Sequence, residues 1–232
     1  MTCLNAQFDD DPDGYDARRE GWLFERRLRE LRLHLDTLRD GDTVVEVGSG
    51  TGLLLRRLAA ERPGLRFVGV EPIEGYVEFA RSRSGDLANL RFEVGTGERL
   101  AEADPGPADL VLTNDVLHHV EDLDATCAGV ADVARPWTQW VAIEPNPQNP
   151  WVIWYHTRTE GEALFRPRSF LAAAARHGWG AAQRAHLFLV PQAIARPPRP
   201  LVLAERGLER LPVLSGGSLI RLVRTRDDDP SR

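Results

Sequence analysis

The sequence predicts an α/β fold: a doubly wound, mainly parallel sheet of seven strands, the last antiparallel, preceded by an N-terminal helical cap. Three observations predict it. Between residues 43 and 143, apolar runs of strand length alternate with helix-length segments, the rhythm of βαβ units. Right-handed crossovers between parallel strands put those helices on both faces of the sheet. And 232 residues, 42% hydrophobic and 28% charged, suit one large core better than two complete ones.

Each element follows from its pattern. Residues 1–14 are acidic and poor in large apolar side chains, and read as a loose leader. Over 15–38, Phe24, Leu28, Leu31, Leu35 and Leu38 recur three or four apart with Arg and Glu between them, an amphipathic helix that Gly41 ends. Thr43–Val47 (TVVEV) reads as a buried strand, and helix Leu53–Glu61 stops at Pro63-Gly64. A strand over 66–70, a helix over 73–82, strand Leu90–Val94 and a polar stretch over 95–107 come next. Then follow a strand over 109–112, helix Leu123–Val133 and a strand over 139–143. Residues 144–166 form an insertion rich in Pro, Asn and aromatics, followed by a helix over 167–177 that Gly178 ends. A strand is expected over 186–190, and Pro191, Pro197, Pro198 and Pro200 then make a long break. The last strand covers 219–223, and the DDDPSR tail is expected to be disordered.

Composition narrows the function classes. A formal charge of −6 argues against a protein built to hold nucleic acid, which needs a concentrated basic face. All 29 basic residues are Arg, so Schiff-base and lysine-nucleophile mechanisms are excluded. Cys3 and Cys127 are too few for a disulfide framework and wrongly spaced for zinc, and Cys127 reads as core packing. No window approaches ~18 consecutive apolar residues, and the start lacks the basic and apolar regions of a signal peptide. A cytoplasmic chain is the expectation.

The chemistry concentrates at Val44 to Gly52, VVEVGSGTG. A buried strand delivers Gly48, Gly50 and Gly52 into a turn that opens a helix, at the strand end where open α/β sheets bind ligands. The dinucleotide fingerprint wants glycine where Leu53 stands, so the spacing does not suit a pyrophosphate cradle. The run resembles instead the E-x-G-x-G-x-G signature of class I S-adenosylmethionine-dependent methyltransferases, with Glu46 two residues before the first glycine. The likeness extends over roughly residues 40–145. It includes Glu71 in VGVEP at the second strand's end, Gly95-Thr96-Gly97-Glu98 after the third, and DLVLTNDVLHHV at the fourth. It points to the small-molecule branch of that family, near its types 11 and 12.

The resemblance implies a Rossmann-like core over 41–144, a cap helix over 1–40, and a substrate-side insertion with the C-terminal strands over 145–232, all within one domain. It implies S-adenosylmethionine as cofactor, bound by Glu46, Gly48, Ser49, Gly50, Gly52, Glu71, Pro72, Thr96, Gly97, Glu98, Asn114 and Val116. Glu71 would take both ribose hydroxyls, because a carboxylate accepts two hydrogen bonds from a vicinal diol. Thr96 stands where many relatives carry Asp, so the adenine contact falls to backbone at Thr96 and Gly97 or to Glu98.

A sulfonium leaves without a proton, so the protein must mainly align donor and acceptor and exclude water. A hydroxyl or protonated amine acceptor also needs a base within ~3 Å of the proton. The candidates are His119, Glu144 at the end of the fifth strand, and His156 among Trp151, Trp154 and Tyr155. The aromatic insertion and the N-terminal helix are expected to cover the site and form the acceptor pocket. Glu144 to Pro150, EPNPQNP, suits a sharp turn held by side-chain amides. Pro-rich 191–212 suits a lid or a dimer surface.

The Asn-Pro-Pro-aromatic motif of nucleobase-amine methylation is replaced by Thr113-Asn114-Asp115-Val116. No Asp-Asp-Asn metal cluster is recognisable around Asp115, so no metal is expected. The expected partner is a small-molecule acceptor: a natural product, a sugar or a lipid-linked glycan, methylated on O or N. No nucleic acid and no membrane span are expected, and homodimerisation stays open. Two alternatives remain: an S-adenosylmethionine-binding protein that transfers no methyl group, and a non-catalytic partner subunit. An NAD-dependent reductase is disfavoured by Leu53 and by the lack of any Tyr-x-x-x-Lys pair.

Overall fold

A computed structural model describes residues 11–188 and 198–225. Their sheet runs β3-β2-β1-β4-β5-β7-β6 across its width, from strands β1 (Thr43–Val47), β2 (Arg66–Glu71), β3 (Leu90–Val94), β4 (Ala108–Asn114), β5 (Ala134–Pro145), β6 (Trp179–Leu187) and β7 (Gly217–Arg224). β1 to β5 pair in parallel, and β7 runs antiparallel between β5 and β6.

Period-two alternation splits the strand side chains between two cores. Val44, Leu110 and Leu112 face α2 (Trp22–Leu35), α3 (Leu53–Glu61) and α4 (Glu74–Arg83). Val45, Val47 and Val111 face α5 (Leu123–Val133) and α7 (Pro167–Arg176). Cys127 lies in the second core, where burial pushes its thiol up to about 12.

The structure departs from the expected elements in several places. The helix expected over 15–38 is two, α1 (Pro12–Arg19) and α2, separated at Glu20-Gly21. α1 begins inside the supposed leader because Pro12 occupies its first turn and the Asp11 carboxylate accepts from the Gly14 N–H at 2.9 Å. β6 begins at Trp179 and shares only His186 and Leu187 with the strand expected over 186–190, whose last two positions lie outside the described residues. It is an edge strand whose middle, Ala181 to Arg184, is exposed, so it lacks the apolar run that marks a buried strand. In the Pro-rich stretch a helix, α8 (Arg199–Leu208), starts on Pro198 and Pro200, since proline in a first turn breaks no intrahelical hydrogen bond. The rest of the expected proline break, 191–197, lies outside the described residues, as do Cys3 and the DDDPSR tail. Among the described residues no helix is long and apolar enough to cross a membrane.

Candidate active site

β1 and β4 are neighbours at the point where the strand order reverses, and a crevice opens beyond their carboxyl ends. A cavity of about 1210 Å³ occupies it. That exceeds the roughly 300–1,000 Å³ of ordinary ligand pockets. Its floor is the glycine turn after β1. At Gly48, φ is +73° and a Cβ would lie 2.5 Å from Val116 Cγ2, so the turn passes directly under the segment that follows β4. At Gly50, φ is +54° and nothing lies within 4 Å of a Cβ, so this backbone is open to a close neighbour.

Glu71 ends β2 beside that turn. Its Oε2 accepts from the Gly50 N–H at 2.9 Å and its Oε1 from the Ile73 N–H at 3.1 Å, leaving further lone pairs on both oxygens. Burial raises its pKa, and the two backbone hydrogen bonds oppose that rise. Around the turn, Glu46 Oε2, Ser49 Oγ and Asn114 Oδ1 are buried without a hydrogen-bond partner. Orphaned polar atoms are costly in a protein interior, so three of them together mark a surface shaped for donor groups. Burial, followed by the charge of Glu71, lifts the Glu46 pKa well above the usual carboxylate range.

Most of the expected cofactor residues line this cavity: Glu46, Gly48, Ser49, Gly50, Glu71 and Pro72, with Thr96, Gly97, Glu98, Asn114 and Val116. Gly52 does not. A Cβ there would meet Phe92 Cζ at 2.4 Å, so this glycine lets α3 pack on the sheet.

The same cavity is bordered by a cluster of imidazoles and carboxylates. Glu144 does not line the cavity. Its Oε1 accepts from the Val116 and Leu117 N–H groups at 3.0 and 2.9 Å, and its Oε2 holds His118 Nδ1 at 2.7 Å. With both oxygens engaged and 1% exposure, Glu144 is placed to orient His118 rather than to reach an acceptor. Glu162 Oε2 lies 3.3 Å from His118 Nε2, 3.1 Å from His156 Nδ1 and 3.8 Å from His119 Nε2. His156 Nδ1 is also 3.1 Å from the Ala163 carbonyl oxygen. Against the effect of burial, the Glu144 and Glu162 carboxylates raise His118 to about 10. Burial and the neighbouring His118 charge lower His119. His118, His119, His156 and Glu162 all face the cavity.

The walls come from elements outside the βαβ core. α1 and α2 supply Tyr15, Leu23 and Phe24, and α6 (Pro150–His156) supplies Trp151, Val152 and Tyr155. α6 begins where Asn149 Oδ1 accepts from the Trp151 N–H at 2.9 Å, so the EPNPQNP run serves partly as a helix cap. Sequence reasoning missed Asp115, Arg27 and Glu162. Asp115 takes φ +56° and is clamped at 2.5 Å by Arg27. A non-glycine residue in that conformation is costly and concentrates at functional sites. Burial raises the Asp115 pKa, but Arg27 and Arg19 outweigh it and hold the carboxyl low.

Residues 45–137 match the family model described as a methyltransferase domain. The chain thus carries a methyltransferase domain similar to the class I S-adenosylmethionine-dependent enzymes. S-adenosylmethionine is its cofactor, and the residues present fit that molecule: acceptors for a diol at Glu71, orphaned oxygens for amine donors, and an open backbone at Gly50. A ubiquinone biosynthesis O-methyltransferase of Neisseria meningitidis is 29% identical over 175 residues, covering 73% of this chain and 66% of that one. The first curated relatives are spanned only in part, over 35%, 66% and 47% of their lengths. Two solved structures share the fold. Geranyl diphosphate C-methyltransferase of Streptomyces coelicolor A3(2) has a TM-score of 0.65 at 20% identity, covering 87% of this chain and 77% of that one. The [4+2]-cyclase SpnF has a TM-score of 0.62 at 18% identity, with coverages of 86% and 81%.

Proposed function

We propose that this methyltransferase moves a methyl group from S-adenosylmethionine to an oxygen or nitrogen of a small-molecule acceptor: a natural product, a sugar or a lipid-linked glycan. The observation that carries the reading is one cavity lined by the glycine turn, a histidine cluster and aromatic side chains. Its volume suits two ligands side by side. The net charge of −6 favours a small acceptor over nucleic acid, and the ubiquinone-biosynthesis relative supports a hydroxyl as the acceptor group.

S-adenosylmethionine supplies a methyl group on a sulfonium, a leaving group that needs no protonation. The protein does the rest. Glu71 would take the ribose hydroxyls, and Pro72 and Thr96 to Glu98 would flank the adenine. Glu46, Ser49 and Asn114 would take the remaining donors, and Arg19, which lines the cavity with its guanidinium 4.7 Å above the Tyr15 ring, would pair with the carboxylate of the methionyl group. α1, α2 and α6 exclude water, which strengthens every polar contact inside. His119, bordering the cavity, takes the acceptor proton. His156 shapes the pocket, and Glu144 acts as a positioning residue through His118.

The test incubates the purified chain with S-adenosylmethionine and a panel of phenolic, sugar and amine acceptors, reading S-adenosylhomocysteine and product mass. Acceptor-dependent turnover is expected, and His119→Ala should lower kcat roughly 10²–10⁴-fold with cofactor affinity retained. Cofactor binding with no acceptor-dependent turnover across the panel would return the non-transferring alternative to first place.

A further inference from the structure

Three side chains of metal-ligating type meet at the wall of the cavity, from three separate segments. His118 follows β4, His156 ends α6 and Glu162 lies in the turn beyond it. One donor atom from each lies within 4.8 Å of the other two. Two of these separations, 3.3 Å from His118 Nε2 and 3.1 Å from His156 Nδ1, end on the same Glu162 oxygen. Ligands at about 2.0–2.2 Å from a common ion, at tetrahedral or octahedral angles, stand roughly 2.9–3.5 Å apart. The measured separations fall in that range.

Ion pairs alone give similar distances, so two further observations decide. Glu162 Oε2 is inaccessible to solvent, and the two imidazole nitrogens facing it, at 3.3 and 3.1 Å, stand off the line of a normal hydrogen bond. And His118 is fixed from behind: Glu144 holds its Nδ1 at 2.7 Å while being anchored itself by two backbone N–H groups. A histidine whose one nitrogen is locked by a carboxylate presents the other in a set direction, as metal-ligating histidines do.

We propose that His118, His156 and Glu162 bind a divalent first-row transition ion, zinc by preference, with its remaining coordination positions turned toward the acceptor pocket. Two imidazoles and one carboxylate select such an ion over magnesium, which wants oxygen ligands throughout. A dication would also lie between two carboxylates, Glu162 beside it and Glu144 behind His118. An oxygen-bearing acceptor coordinated there would be oriented and polarised; only this last consequence rests on the methyl-transfer reading. No sequence motif announces the site, because its ligands, at 118, 156 and 162, follow no recurring metal spacing.

The test uses the full chain, stripped with chelator, with neither cofactor nor acceptor present. Zn²⁺ is titrated by competition with a chromophoric chelator, and Co²⁺ is followed by its visible absorption. One equivalent should bind, and Mg²⁺ should not displace it. His156→Ala and Glu162→Gln should each weaken binding at least 10-fold, and Glu144→Gln should weaken it roughly 10–100-fold. His177→Ala, away from the cavity, should change nothing. Intact S-adenosylmethionine binding by His156→Ala and Glu162→Gln shows that these variants fold, so the more buried His118 need not be altered. Absence of stoichiometric Zn²⁺ binding, or affinity unchanged in the His156→Ala/Glu162→Gln double variant, overturns the site. Either result leaves the methyl-transfer reading standing, since the ion is read without turnover.

Discussion

Gly48 and Gly50 stand two positions apart yet constrain the molecule differently. Alanine at either must hold a positive φ, which costs about 1–2 kcal/mol. At Gly48 it must also displace Val116, whereas at Gly50 it meets no protein atom. Gly48→Ala should therefore cost more stability in denaturant melts. Gly50→Ala should show its larger effect as lost S-adenosylmethionine affinity in calorimetry. Glu71→Ala should weaken the same binding about 10-fold or more, on the order of 1.4 kcal/mol. Because burial raises the Glu71 pKa, wild-type affinity should fall as pH drops through that raised value, where the carboxyl gains a proton and loses acceptor capacity. Glu71→Gln should bind weakly with that pH dependence gone. The glycines and Glu71 were legible in sequence because their neighbours in space are also near them in motif order. Glu162 was not, because its only cue was a place in an irregular insertion.

At the scale of elements, α8 closes over α2 through charge. Arg26, 5% exposed, pairs with Glu205 at 2.7 Å, Glu209 at 2.5 Å and Glu30 at 3.0 Å, and Glu205 also meets Arg29. Removing one partner of a buried network strands the rest, so Arg26→Ala should cost about 3 kcal/mol by denaturant midpoint. Replacing Arg26 with Met and Glu205 with Leu together should recover most of that, since apolar isosteres of a buried pair are often neutral. The helices α3 and α5 were readable to the residue, each having an apolar face and clear stops. α8 was hidden because its prolines read as breakers until their place in the first turn was known.

At the scale of the molecule, the cavity is walled by the N-terminal helices, the glycine turn and the α6 insertion, so its ligands should bind these parts together. S-adenosylmethionine at 100 times its Kd should add about 2.7 kcal/mol. For a chain of this size that is a rise in Tm of about 5–10 °C. Amide exchange should slow in α1 and α6 as well as at the turn. A Tm shift with protection confined to the turn would show that the walls do not close on the cofactor.

The sequence by itself determined strands β1 to β5, the last strand β7 and the cofactor turn, because strand periodicity, crossover handedness and glycine φ are local or chiral properties of the chain. Only the tertiary structure decided that Glu144 serves His118, that Gly52 serves packing, and that His118, His156 and Glu162 converge. Those assignments depend on distances between segments up to 44 positions apart in the chain, and no local propensity records where a crossover or an insertion finally comes to rest.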